Sequence, residues 1–264
     1  MIQFDHVSFA FDDLVILRDT SFTIPPGSMR ILLGASGSGK SIILKLILGL
    51  LKPDSGAILV NGHRVDQMPE RELLQLRGGI GMTFQENALF DSLTVADNVG
   101  YRLLQESQMP AAEAEGRVAE VLGFVGLGEY SERMPSELSG GQRRRVAIAR
   151  AMASKPDILL FDDPTTGLDP IIASSVDDEL VKLRDLEQAT SIMATHQIRD
   201  AFYVARHEAV MVNGQAEIRD AATERAQFLV LHDCGIYFEG SGADLLASHD
   251  AYLKEFLFMT LPPW

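Results

Sequence analysis

Alternating and continuous apolar runs divide this chain into elements before any single residue is considered. Residues 1–33 alternate and turn like an antiparallel sheet: 3–9 and 21–24 have the period of half-buried strands, and Pro25-Pro26-Gly27 turns the chain after them. Residues 29–33, apolar except for Arg30, predict a buried strand, and 42–48 predict a helix. A short strand at 57–60 ends at the turn pair Asn61-Gly62, and another at 80–84 ends at Gln85. From Ala88 to Lys155 the pattern is helical, over 95–106, 111–126 and 139–154, with no strand between. Residues 158–161 are continuously apolar, as in a strand buried on both faces, followed by a helix at 170–186 and a strand at 191–195. The alternation predicts an α/β core over 1–87 and 156–264, with an N-terminal antiparallel β-subdomain and a helical subdomain, 88–155, inserted in it.

Composition narrows the class. The 264 residues are 46% hydrophobic and 23% charged, enough for a sizeable core. The longest apolar stretch, 42–51, is broken by Lys45 and falls well short of the ~20 residues of a membrane span. The N-terminus lacks signal-peptide character, and the single Cys234 excludes an intrachain disulfide and points to a reducing compartment. A net charge of −14 argues against nucleic acid as the main partner. The expectation is a soluble cytoplasmic protein.

The chemistry concentrates at strand ends. Gly34-Ala35-Ser36-Gly37-Ser38-Gly39-Lys40-Ser41 lies between a strand and a helix, the context of a phosphate-binding loop. Its glycines let backbone N–H groups cradle phosphates at a helix N-terminus, with Lys40 on the β- and γ-phosphates and the Ser41 hydroxyl on Mg²⁺. A second capped helix start, Leu138-Ser139-Gly140-Gly141-Gln142, offers another place for an anion, or a plain cap with flexible glycines. Strand 158–161 ends in Asp162 and Asp163, whose mutual repulsion is relieved if Asp162 holds Mg²⁺ and Asp163 orients or deprotonates a water. His196, at the tip of strand 191–195, could bridge phosphate and water. Gln85 ends a strand over the ligand crevice or is a solvated loop residue. Phe11 could stack on an adenine or make a hairpin contact.

With these motifs in this order, the chain resembles the nucleotide-binding subunits of ATP-binding cassette (ABC) transporters along nearly its whole length. The resemblance implies a RecA-like P-loop core that binds ATP with Mg²⁺. It makes Gly34, Ala35, Ser36, Gly37, Ser38, Gly39, Lys40 and Ser41 the Walker A loop and Ser41, Gln85 and Asp162 the metal ligands. Asp163, His196 and Gln85 become the catalytic set. Phe11 falls at the adenine-stacking position, where the family often has Tyr, and Asp169 in the D-loop. Leu138, Ser139, Gly140, Gly141 and Gln142 become the signature that completes the partner chain's phosphate site, so that two copies sandwich ATP head to tail. A groove beside Gln85, near residues 86–95, would receive the membrane permease, or is ordinary packing within the helical insert.

A closer resemblance is to Mce/Mla-type ATPases of bacterial phospholipid transport, carried by residues 85–95, 134–141 and 161–171. It implies a Mce-domain lipid-binding partner and a place on the cytoplasmic face of the inner membrane. The chain departs from the family pattern in having Asp163 where Glu is usual. It also carries extra residues, 215–227, expected as an enlarged antiparallel hairpin before 228–231 and 235–240, and an apolar tail, 252–264, that braces a neighbouring subunit or packs on its own core.

Overall fold

A computed structural model of the chain describes residues 1–105 and 109–260. The chain begins with β1 (Ile2–Phe11) and β2 (Leu14–Ile24), and β3 (Met29–Leu33) runs into α1 (Lys40–Ile47). Next come β4 (Ser55–Val60), β5 (His63–Arg64), α2 (Glu70–Arg77) and β6 (Ile80–Thr83). Helices α3 (Val95–Gln105), α4 (Ala111–Phe124) and α5 (Gly140–Met152) follow without an intervening strand among the described residues. Then β7 (Ile158–Asp162), α6 (Pro170–Lys182), β8 (Thr190–Thr195) and α7 (Ile198–Arg206) alternate. The remainder is β9 (His207–Val212), β10 (Gln215–Asp220), β11 (Gln227–His232), β12 (Gly235–Gly240), α8 (Gly242–Ala247) and α9 (Ala251–Thr260).

The central sheet has the order β12-β11-β3-β8-β7-β6, parallel except for β12 at one edge. Successive side chains of its inner strands enter opposite cores. Leu159 and Phe161 of β7 join a cluster with α3 to α7 and α9, whereas Ile158 and Leu160 join a second cluster with α1 and the N-terminal sheet. Each fully buried Leu or Ile contributes roughly 1.5–3 kcal/mol, so a strand buried at every position is held from both sides. The N-terminal sheet, β2-β1-β4-β5, is antiparallel throughout. Among the described residues no helix is long and apolar enough to cross a membrane.

The C-terminal half differs from expectation in one respect. Instead of one enlarged hairpin, there are two separate ones. β9 and β10 pair only with each other, closed by Asn213 and Gly214, while β11 leaves them to lie parallel to β3 in the central sheet, with β12 antiparallel beyond it. The freestanding hairpin is anchored from the π-helical turn Leu183–Glu187 that ends the expected 170–186 helix early. There Arg184, buried, donates to the carbonyls of Val204 and His207, and Asp185 accepts from Ala209 N–H and pairs with Arg225. In the tail, Leu253 and Leu257 of α9 pack into the chain's own core, Phe258 is exposed, and residues 261–264 lie outside the described residues.

Candidate nucleotide site

Because β3, β8, β7 and β6 are parallel neighbours, the loops leaving their carboxyl ends emerge together, where ligands bind in open α/β sheets. The loop after β3 carries residues 34–39, exposed over 35–37. Gly39 lies in the left-handed region (φ 102°), and a Cβ there would come within 2.9 Å of the Ile16 side chain on β2, so the N-terminal sheet presses on the loop's last residue. No side chain caps α1, and the N–H groups of Lys40 and Ser41 have no acceptor within the helix, a set of donors open to a phosphate. Lys40 is buried, and its ammonium donates to the carbonyls of Gly34 (2.9 Å) and Ala35 (3.0 Å). Burial lowers its pKa, opposed by Asp163 and Asp162.

The carboxyl end of β7 meets this loop. Ser41 Oγ donates to Asp162 Oδ1 at 2.8 Å, joining groups 121 residues apart. Burial raises the Asp162 pKa, opposed by the Ser41 hydrogen bond, and the Asp163 charge adds to the rise. A divalent cation would reverse that balance. The described residues contain no group of three or more His, Cys, Asp or Glu able to hold a metal. The Ser41 hydroxyl beside the buried Asp162 carboxylate is an all-oxygen pair that would suit Mg²⁺.

Asp163 follows in the left-handed region (φ 44°), with its N–H held by the Ala194 carbonyl at 2.8 Å. Its Oδ1 accepts from the His196 N–H (3.2 Å) and pairs with His196 Nδ1 (2.9 Å), so the turns after β7 and β8 interlock. Thr165 Oγ1, just beyond, donates to buried Asp200 Oδ2 at 2.5 Å, a second tie between them that the sequence did not reveal. Gln85 is exposed, and among the described residues its side chain forms no hydrogen bond, whereas its carbonyl is held by Arg144.

The other glycine-bearing helix start is a complete capping box. Ser139 Oγ accepts from Gln142 N–H (3.2 Å), and Gln142 Oε1 accepts from Ser139 N–H (2.9 Å). Gly141 is buried, and a Cβ there would penetrate the Ile172 side chain on α6. Its bareness thus serves the crossing of α5 over α6 as much as any anion. Asp169 caps α6, accepting from Ile171 and Ile172 N–H at 3.1 Å each. Among the described residues no hydrogen bond or ion pair joins 138–142 to 34–41. Phe11, at the end of β1, is half exposed and meets Phe9 edge to face at 4.9 Å. Beside Gln85 a cleft of about 480 Å³ is lined by Leu50, Leu74, Met82, Phe84, Phe90 and Tyr101.

A phosphate-cradling loop with a buried lysine, and a serine–aspartate pair at the carboxyl edge of a parallel sheet, define a P-loop nucleotide-binding protein. The particular family follows from sequence: residues 17–166 match the ABC transporter family, and the chain belongs to it. It is 41% identical over 207 residues to the sulfate/thiosulfate import ATP-binding protein CysA of Mycobacterium bovis, covering 78% of this chain and 57% of that protein. It is 36% identical over 200 residues to the mkl protein of the same species, named for ribonucleotide transport, covering 76% and 56%. The chain thus spans little more than half the length of these relatives. The dimeric ATP-binding cassette MJ0796, in a post-hydrolysis state bound to ADP and Pi, superposes with a TM-score of 0.76 at 28% identity, covering 91% of this chain and 98% of that one. The chain thus shares both the family and the fold of an ATP-binding cassette.

Proposed function

We propose that this chain is the ATP-hydrolysing subunit of a membrane transporter, working as a head-to-tail pair with two ATP molecules between its copies. The observation that carries this reading is the meeting of Lys40, Ser41, Asp162, Asp163 and His196 at one sheet edge, while among the described residues the capped helix start at Ser139 has no bond to the phosphate loop of its own chain. Residues 34–41 cradle the phosphates, with Lys40 moving from the Gly34 and Ala35 carbonyls to the β- and γ-phosphates. Phe11 stacks on the adenine. Ser41, Asp162 and Gln85 hold Mg²⁺, which offsets charge on the phosphates. Leu138, Ser139, Gly140, Gly141 and Gln142 close on the partner's γ-phosphate, with Asp169 beside them.

Asp163 takes the proton of the attacking water, and His196, bonded to its Oδ1, fixes the carboxylate's orientation. A carboxylate one methylene shorter than Glu reaches less far, so turnover requires a water drawn closer or a tighter closed pair. Asp163→Asn is expected to bind ATP normally and lose turnover in a phosphate-release assay. Normal turnover in that variant would remove Asp163 from the mechanism.

Residues 88–155 act as a helical subdomain on the core, and the cleft beside Gln85 receives the permease. An open apolar cleft of that size, rimmed by Arg77, Arg102 and Arg150, suits an amphipathic helix. On this reading the chain sits peripherally on the cytoplasmic face of the inner membrane. The cargo we propose is phospholipid, delivered with a Mce-domain protein, on the strength of residues 85–95, 134–141 and 161–171. The identity to a sulfate/thiosulfate import protein supports the second reading, an importer or exporter for another solute with the same chemistry. Co-purification of a permease and a Mce-domain protein with the tagged chain favours the first; a permease with a different solute-binding protein favours the second. A cassette acting on nucleic acid or as a scaffold is disfavoured by the −14 charge and the short helical insert.

A further inference from the structure

Two of the arginines on the helix that Ser139 caps hold carbonyls of one segment some sixty residues earlier. Arg144, 3% exposed, donates through Nη1 to the Phe84 carbonyl (2.8 Å) and through Nη2 to the Gln85 carbonyl (2.7 Å). Arg150 donates to the carbonyls of Ala88 (2.8 Å) and Asn87 (3.0 Å), and its guanidinium lies 5.9 Å from the Phe90 ring centre. The two forks thus hold four of the five carbonyls between residues 84 and 88. Among the described residues Arg144 has no ion pair. Burial pulls its pKa down against the attraction of Asp163 and Asp162, and its Nε has no partner.

Burying a guanidinium against neutral oxygens is costly unless its geometry is used. Here the segment it holds is under strain: Asn87 (φ 65°) and Ala88 (φ 48°) both lie in the left-handed region without being glycine. Rigid two-pronged contacts at two points roughly 9 Å apart along the helix leave the segment little freedom to move without α5. Ser139 and Gly140 head that same helix, while Phe84, Ala88 and Phe90 line the cleft beside Gln85.

We propose that Arg144 and Arg150 are positioning residues that bind segment 84–88 and helix α5 into one body, so that displacement at the cleft turns Ser139 toward or away from the partner's phosphate. The proposal rests on the paired-subunit reading above. Its test uses the full-length Asp163→Asn protein, with dimer formation followed by sedimentation as Mg·ATP is titrated. Monomer occupancy is read separately with a fluorescent ATP analogue, and folding by nucleotide-free melting. Adding Arg144→Gln is expected to raise the ATP concentration for half-dimerisation about tenfold or more, as for one lost charge-assisted hydrogen bond, with analogue binding unchanged. Adding Arg144→Lys, which keeps the charge and loses the fork, is expected to fall between, and it carries the test should the Gln variant melt early. Unchanged half-dimerisation in both variants, with Asp163→Asn itself dimerising, overturns the proposal alone. Failure of Asp163→Asn to dimerise at any ATP concentration overturns the paired-subunit reading and this proposal with it.

Discussion

Gly141→Ala separates packing from ligand chemistry at the signature helix. The added Cβ would lie inside the Ile172 side chain, which sits on the first turn of α6 beside the Asp169 cap. Replacing Gly by Ala in a helix is worth about 0.5–1 kcal/mol in the variant's favour. Forcing a methyl into a filled contact costs about 1–3 kcal/mol, so the nucleotide-free protein is expected to lose about 1–2 kcal/mol. At this chain length that corresponds to a fall in Tm of about 2–8 °C. Truncating the obstacle should reverse the sign: in an Ile172→Ala background, Gly141→Ala should become neutral or stabilising. The double-mutant cycle, measured by urea unfolding without nucleotide, should give a coupling of at least ~1 kcal/mol. Equal or greater stability of Gly141→Ala with Ile172 in place would refute the packing account and leave Gly141 explained by phosphate approach alone.

Two further outcomes follow from buried carboxyl groups. Asp177 on α6 has its pKa raised to about 9 by burial, with the Asp200 charge adding to it, and its Oδ1 has no partner. Between roughly pH 4 and 9 the unfolded chain loses this proton while the folded chain keeps it, so this group lowers stability as pH rises. Asp177→Asn should remove that loss, gaining on the parent by up to about 1.4 kcal/mol per pH unit between pH 5 and 8. Parallel urea-unfolding profiles for the two proteins would contradict this. The Thr165–Asp200 bond should show coupling of about 1.5–3 kcal/mol in a Thr165→Val, Asp200→Asn cycle, and ATPase rate should fall in each single variant because both turns near Asp163 loosen. Full activity in both variants would confine that bond to stability.

The site was legible where its chemistry is contiguous. The phosphate loop, its strand and its helix are one uninterrupted stretch, and Ser139 with Gln142 spells its own capping box. The Ser41–Asp162 contact joins residues 121 apart, yet Asp162 ends the apolar strand β7 and Ser41 opens the helix that follows β3, and a parallel sheet gathers its strands' carboxyl ends at one edge. Helix α2 escaped notice because only Leu73 of its eight residues is buried, leaving almost no apolar period. The true course of β11 was written in residues 228–231, a continuous apolar run typical of a strand covered on both faces. It was hidden because Asn213-Gly214 and Asp233-Cys234-Gly235 are both turn signals, and sequence alone does not say which strands a turn joins. Nothing in the run of three arginines, 143–145, marks one of them as buried. That Arg144 is buried against carbonyls some sixty residues earlier depends wholly on how α5 lies over β6.

The central claim, that each catalytic pocket is assembled from two chains, is tested most directly by complementation. Lys40→Ala disables the phosphate loop and Ser139→Arg the signature helix, so each protein alone is expected to be inactive in ATP hydrolysis. Mixed in equal amounts, they should recover about a quarter of the parental rate, because half the pairs are mixed and each holds one intact pocket of two. Silence of the mixture, or full activity of Ser139→Arg by itself, would show that one chain carries the whole pocket.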